Sequence, residues 1–153
     1  MVSEGQTAPD FERLDQHGQT VRLSSLRGRI VVLYFYPRSD TPACTAEACA
    51  FRDIYADLAE TGCEVIGVSH DPRPIQQAFA TRHGLPFHLV SDSSGELRRL
   101  YGVPKTLGLL PGRVTYIIDG EGIVKKVINT QFRPLKHVQD ALELVKSPPT
   151  GLP

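Results

Sequence analysis

Two cysteines five residues apart, Cys44 and Cys49, stand at a junction that could activate a thiol. The segment Pro37-Arg38-Ser39-Asp40-Thr41-Pro42-Ala43-Cys44 follows an apolar run at residues 30–36 and precedes a helix-forming stretch. Thr41-Pro42 reads as a helix start, with a capping hydroxyl followed by proline at the first helical position. Cys44 then falls in the first turn, where unpaired backbone N–H groups and the positive end of the helix dipole favour a thiolate. The thiolate is the reactive form of cysteine, so the chemistry expected is nucleophilic or redox.

Winding the helix at 100° per residue places Ala48, Phe51, Tyr55 and Leu58 within about 40° of Cys44, so Cys44 heads the core-facing stripe. Cys49 falls about 140° away on the outer face, beside Asp53. Glu47 lies about 60° from Cys44, at the inward edge, and a carboxylate there needs a cation. Arg38 is local. Arg113, directly before an apolar run at 114–118, is the better candidate because the fold could bring it in.

A buried cysteine on an apolar stripe is commonly just a small hydrophobe. That reading suits Cys63, which would lie about 28 Å along the helix from Cys44. It suits Cys44 less well, because a fixed helix start and a second cysteine accompany it. The five histidines show no ligand spacing, and two spaced cysteines alone are a weak metal signal. There is no C-x-x-C pair and no glycine-rich phosphate loop.

The elements that must position these residues read as follows. Residues 11–14 and 21–23 suggest an N-terminal β-hairpin around His17-Gly18. Residues 30–36 are a solid apolar run, the signature of a strand buried on both faces. Residues 64–69 and 114–118 repeat it, and Asp119-Gly120-Glu121-Gly122 reads as a hairpin turn into 123–128. Helices are expected from Thr41-Pro42 to about Glu60, from Asp71-Pro72 to Gly84, over 96–100, and from Pro134, where Leu135, Val138, Leu142 and Val145 keep helical spacing. The order implies an α/β fold: a central mixed β-sheet flanked by helices, thioredoxin-like, with an N-terminal β-hairpin. One domain over residues 2–146 and a flexible, proline-rich tail over 147–153 are expected.

The chain has 153 residues, with 17 basic and 17 acidic side chains. Zero net charge supplies no overall field for nucleic acid or an anionic membrane. No apolar run approaches the ~18 residues of a membrane span, and no signal peptide is visible, so a cytoplasmic location is expected.

The motif Pro37-x-x-x-Thr41-x-x-Cys44 resembles the active-site motif of the peroxiredoxins. With Cys49 it is similar to the bacterioferritin comigratory, or peroxiredoxin Q, subfamily. Thr7-Ala8-Pro9-Asp10-Phe11, Phe51-Arg52-Asp53, Gly67-Val68-Ser69 and the stretch from Arg113 to Asp119 agree; Ala43 departs, since the subfamily has glycine there. The resemblance implies a thiol-dependent peroxidase without metal or organic cofactor. Cys44 would attack hydrogen peroxide or an organic hydroperoxide and become a sulfenic acid. Cys49 would resolve it as an intramolecular Cys44–Cys49 disulfide that thioredoxin, or a similar dithiol, reduces. Thr41 would hydrogen-bond thiolate and peroxide, Pro37 would shield the pocket, Arg113 would orient the peroxide and Glu47 would hold Arg113. A monomer is expected. The alternative is a non-enzymatic thiol redox sensor or a metal-binding module, which would not turn over.

Overall fold

The computed structural model describes residues 1–106, 110–130 and 133–146, so the tail expected over 147–153 lies outside the described residues. The chain opens with β1 (Glu12–Leu14) and β2 (Thr20–Arg22), paired antiparallel as expected, and a 3-10 turn over Leu23–Leu26. There follow β3 (Val31–Phe35), α1 (Pro42–Glu60), β4 (Glu64–Ser69), α2 (Arg73–His83), β5 (His88–Ser91) and α3 (Glu96–Tyr101). Two-residue strands β6 (Lys105–Thr106) and β7 (Leu110–Pro111) pair with each other, and β8 (Val114–Ile118), β9 (Val124–Asn129) and α4 (Pro134–Lys146) complete the order.

The central sheet has the order β5-β4-β3-β8-β9. β4 runs parallel to β3 and β5, while β8 runs antiparallel to β3 and β9. The β8–β9 turn is set by Asp119, whose Oδ1 accepts hydrogen bonds from the backbone N–H groups of Glu121 and Ile123 at 2.9 Å each.

Alternation along β3 divides the core. Val32, Tyr34 and Tyr36 join Cys44, Ala48, Phe51 and Leu58 of α1, Phe79 of α2, and Val138, Ala141 and Val145 of α4. Val31, Leu33 and Phe35 join the other face with Leu97 and Tyr101 of α3 and Phe11, Val21 and Leu23 of the hairpin region. Every residue of β3 and β8 is buried, as a central strand covered on both faces requires. This is the expected mixed sheet with helices on both faces, in thioredoxin-like arrangement.

Besides the unforeseen β6–β7 pair, the structure departs from expectation in three places. β5 was not foreseen: only Leu89 and Val90 are buried in it, too short a signal for periodicity to register. Its outer edge is capped by the hairpin turn, where Gln16 Nε2 donates to Phe87 O and Leu89 N–H donates to Gln16 Oε1. Second, Thr41 stands at the N-cap of α1 but its hydroxyl caps no first-turn N–H; Oγ1 donates to Arg38 O at 3.1 Å and closes the preceding turn instead. Third, Pro72, not Asp71, is the N-cap of α2, because the Asp71 carboxylate is taken by Ser39 N–H and Ser69 Oγ. No described helix is long and apolar enough to cross a membrane.

Candidate active site

The loop from β3 to α1 and the start of β8 meet at the carboxyl ends of the parallel strands, where open α/β sheets form ligand crevices. Cys44 sits in the first turn of α1 and is 2% exposed; Glu47, one turn on, is fully buried. The antiparallel pairing of β3 and β8 sets Phe35 opposite Val114, so Arg113 emerges beside the end of β3 and its side chain reaches across to α1. Arg113 Nη1 donates to Glu47 Oε1 at 2.5 Å, and Nη2 donates to Cys44 Sγ at 3.3 Å. The distant arginine is therefore the partner of Glu47, and Arg38 stays on the surface.

Burial lowers the affinity of Arg113 for its proton, but Glu47 and Cys44 outweigh it, so the guanidinium is held more firmly charged than usual. Burial pushes the Glu47 carboxyl up while Arg113 opposes it. Glu47 Oε2 is buried without a hydrogen-bond partner. The carboxylate thus spends one oxygen on the arginine and nothing else, as expected of a group whose task is to hold that side chain.

Pro37 and Thr41 are half-buried and flank the loop; Cys49 is half-buried and points away from the Cys44 face. All three cysteines are free thiols. Cys63 is buried at the start of β4, and burial pushes its thiol up to about 12. The Cys44–Cys49 disulfide is accordingly not formed in this state of the protein.

The loop is pinned from several sides. Asp40 adopts a left-handed backbone with φ 66°, a conformation aspartate tolerates better than most residues. Its carboxylate pairs with Arg82 at 2.5 Å and lies 3.9 Å from His83, at the end of α2. Tyr36 Oη meets Ser39 Oγ at 3.1 Å. Arg98, whose two terminal nitrogens donate to Tyr36 O at 2.6 Å and Gly112 O at 2.9 Å, ties together the residues just before Pro37 and Arg113. Arg98 escaped the sequence reading because it stands next to Arg99 on a six-residue helix, and nothing in the pattern separates the buried arginine from the exposed one.

His137 of α4 was also missed. It is fully buried, with Nδ1 at 2.7 Å from Thr115 Oγ1 and Nε2 at 2.9 Å from Thr130 O. It locks α4 onto β8 two residues from Arg113. Its place directly before Val138 and one turn before Ala141, both buried, was the available signal, while Leu135 of the same expected stripe is exposed.

Comparison with known proteins places this geometry. Residues 4–127 match the AhpC/TSA family model. The chloroplastic peroxiredoxin Q of Triticum aestivum is 47% identical over 147 residues, 95% of this chain and 68% of the relative; that of Arabidopsis thaliana matches at the same identity and coverage. Among solved structures, the peroxidoxin BcpB of Mycobacterium tuberculosis superimposes with a TM-score of 0.88 at 37% identity, covering 98% of this chain and all of that one. The bacterioferritin comigratory protein of Xanthomonas campestris, described for its alkyl peroxide reduction activity, gives 0.82 at 26% identity over 90% of each chain. One expectation is overturned: the cytoplasmic location does not follow, since these curated relatives are themselves named for the chloroplast. The physical reason is that a compartment address is read from a segment separate from the fold, so the composition of a catalytic domain does not encode it. The chain belongs to the AhpC/TSA family, and within it to the peroxiredoxins, enzymes that reduce peroxides with a protein thiol.

Proposed function

We propose that Cys44 is the peroxidatic cysteine and Cys49 the resolving cysteine of a peroxidase cycle contained in one chain. The observation that carries this reading is the bridge from Arg113 to both Glu47 and Cys44. A guanidinium held by a buried carboxylate and touching the sulfur presents fixed positive charge where a peroxide would lie.

The Cys44 thiolate attacks one oxygen of the peroxide. An S–O bond forms, the O–O bond breaks heterolytically, and the departing oxygen leaves as alkoxide or hydroxide and takes a proton. Charge develops on two separating oxygens, and Arg113 and the first-turn N–H groups of α1 are the donors aimed at it; Thr41 would join them by turning its hydroxyl from Arg38 O to the peroxide. Pro37 screens the thiolate from water. The product is a sulfenic acid, the reversible rung of cysteine oxidation. The Cys49 thiolate displaces hydroxide from it, giving a disulfide and water. A dithiol of thioredoxin type then returns both thiols by exchange. Because both thiols belong to the same chain, a monomer suffices.

The test is turnover of hydrogen peroxide with a thioredoxin system by the wild type, Cys44→Ser and Cys49→Ser. Cys44→Ser is expected to be inactive, since a hydroxyl is a far weaker nucleophile than a thiolate near neutral pH. Cys49→Ser is expected to consume one equivalent rapidly and then stall. Sustained turnover by Cys44→Ser would remove that residue from the chemistry.

A further inference from the structure

A cavity of about 470 Å³ opens where β4 and β5 end and α3 begins. Four of its lining residues are basic, His70, Arg98, Arg99 and Lys105, and none is acidic. Val103 and three glycines supply an apolar wall. The nearest carboxylates are committed elsewhere: Asp92 accepts from the backbone N–H groups of Leu97 and Arg98, and Asp71 from Ser39 N–H and Ser69 Oγ.

Two of the basic groups converge on one point. A Cβ built at Gly95, whose φ of 76° suits glycine, would stand 3.2 Å from Arg99 Nη1 and 4.0 Å from His70 Nε2. The missing side chain leaves open the space that both donors face. Among the described residues, the Arg99 side chain gives one N–H to Ser94 O and enters no ion pair, and the Lys105 side chain makes neither a hydrogen bond nor an ion pair.

Behind them lies Arg98, only 6% exposed, with no carboxylate side chain in ion-pair contact. Its Nε is buried without a partner, while the other two nitrogens bind backbone carbonyls. The Phe35 ring, 5.8 Å away, offsets part of the charge. Asp92 and Cys44 offset part of its charge from a distance, but no carboxylate among the described residues reaches the guanidinium itself, so Arg98 adds fixed positive charge to an already basic cavity. The burial of Arg98 pulls its pKa down to about 10, and His70 is lowered by its own burial and by the Arg98 charge.

We propose that this cavity binds a small molecule carrying an oxyanion, phosphate or carboxylate, gripped by His70, Arg99 and Lys105 over Gly95, with Arg98 as the fixed charge behind and Val103 against its apolar part. The site is independent of the peroxidase reading, since none of the three gripping residues takes part in the thiol chemistry.

The test is a nuclear magnetic resonance titration of the whole chain at constant ionic strength with inorganic phosphate, phenyl phosphate, acetate and benzoate, and sodium chloride as reference. Saturable shifts over residues 69–71 and 94–105 are expected, tighter for the aromatic member of whichever pair binds; the phosphate and carboxylate arms identify the anion. The midpoint of His70 titration should rise on occupancy. Arg99→Gln with Lys105→Gln should weaken binding at least tenfold while turnover without added anion is unchanged. Equal shifts with chloride, non-saturating shifts, or undiminished binding by the folded double variant would each overturn the proposal.

Discussion

Arg113 Nη2 lies 3.3 Å from Cys44 Sγ although 69 positions separate the two in sequence. Only the antiparallel β3–β8 pairing brings them together. Arg113→Ala removes one donor to the developing charge, a loss typically worth ~10²–10³ in rate. It also strands Glu47, fully buried, and breaking a buried pair this way costs roughly 3–5 kcal/mol. The double variant Glu47→Gln/Arg113→Ala should recover much of that stability and none of the rate. Urea unfolding and single-turnover peroxide kinetics on the three proteins separate the two effects; recovery of rate in the double variant would mean that Arg113 acts only through folding.

His137 gives the fold an acid limit. Burial holds its pKa down at about 4, against 6.5 in the unfolded chain. Between those values the unfolded state binds a proton that the folded state refuses, so stability falls as pH drops from 6.5 towards 4. The full effect is roughly 3 kcal/mol. His137→Gln keeps an amide near Thr115 and Thr130 and should flatten that limb. Unfolding free energies at pH 7 and pH 4.5 check this; an equally steep loss in the variant would assign the acid limit elsewhere.

Cys63→Ser should leave turnover intact, and native Cys63 should resist alkylation at pH 8. The thiol is buried and pushed up to about 12, so almost none of it is thiolate. Mass mapping of alkylated sites in folded and unfolded protein reads this directly. A Cys44–Cys63 disulfide in oxidised protein would contradict it.

Much of this site is legible in the chain because its parts are local. Thr41, Pro42, Cys44, Glu47 and Cys49 sit on one helix, and 3.6-residue geometry alone sends Cys44 and Glu47 inward and Cys49 outward. The pairing of Glu47 with Arg113 could be inferred because a buried carboxylate demands a cation and one arginine stands directly before a core strand. Arg98 had no such handle, and His137 only a weak one, its place one turn before Ala141 on α4. Each looks in sequence like an ordinary surface residue, and each is buried only because another element covers it. β5 shows the same limit: four residues at a sheet edge owe their strand state to β4 and Gln16, not to their own pattern.

The last prediction concerns the motion that a Cys44–Cys49 disulfide demands. α1 runs unbroken from Pro42 to Glu60, through both cysteines. On an ideal helix, residues five apart have Cα atoms about 8.7 Å apart and point about 140° away from each other. A disulfide needs roughly 4.4–6.8 Å with facing Cβ atoms, so the first turns must unwind in each cycle. Ala43, Ala46, Ala48 and Ala50 bury little area and hold these turns weakly. What resists is polar: the buried Glu47–Arg113 pair, and two contacts to the end of α2, Asp40 with Arg82 and Arg52 Nη1 donating to His83 O at 2.8 Å. The Asp40–Arg82 pair is exposed, so it is worth at most about 1 kcal/mol and is weakened by salt. Arg82→Gln should therefore raise the opening equilibrium by no more than about fivefold, speed disulfide formation by a similar factor, and remove most of its salt dependence. Amide exchange should rise on oxidation across residues 41–52 and stay unchanged across 135–145. An oxidised protein with the Cys44–Cys49 bond in place and helical protection intact over 42–52 would refute the unwinding. A variant whose rate keeps the wild-type salt dependence would take Asp40 and Arg82 out of it.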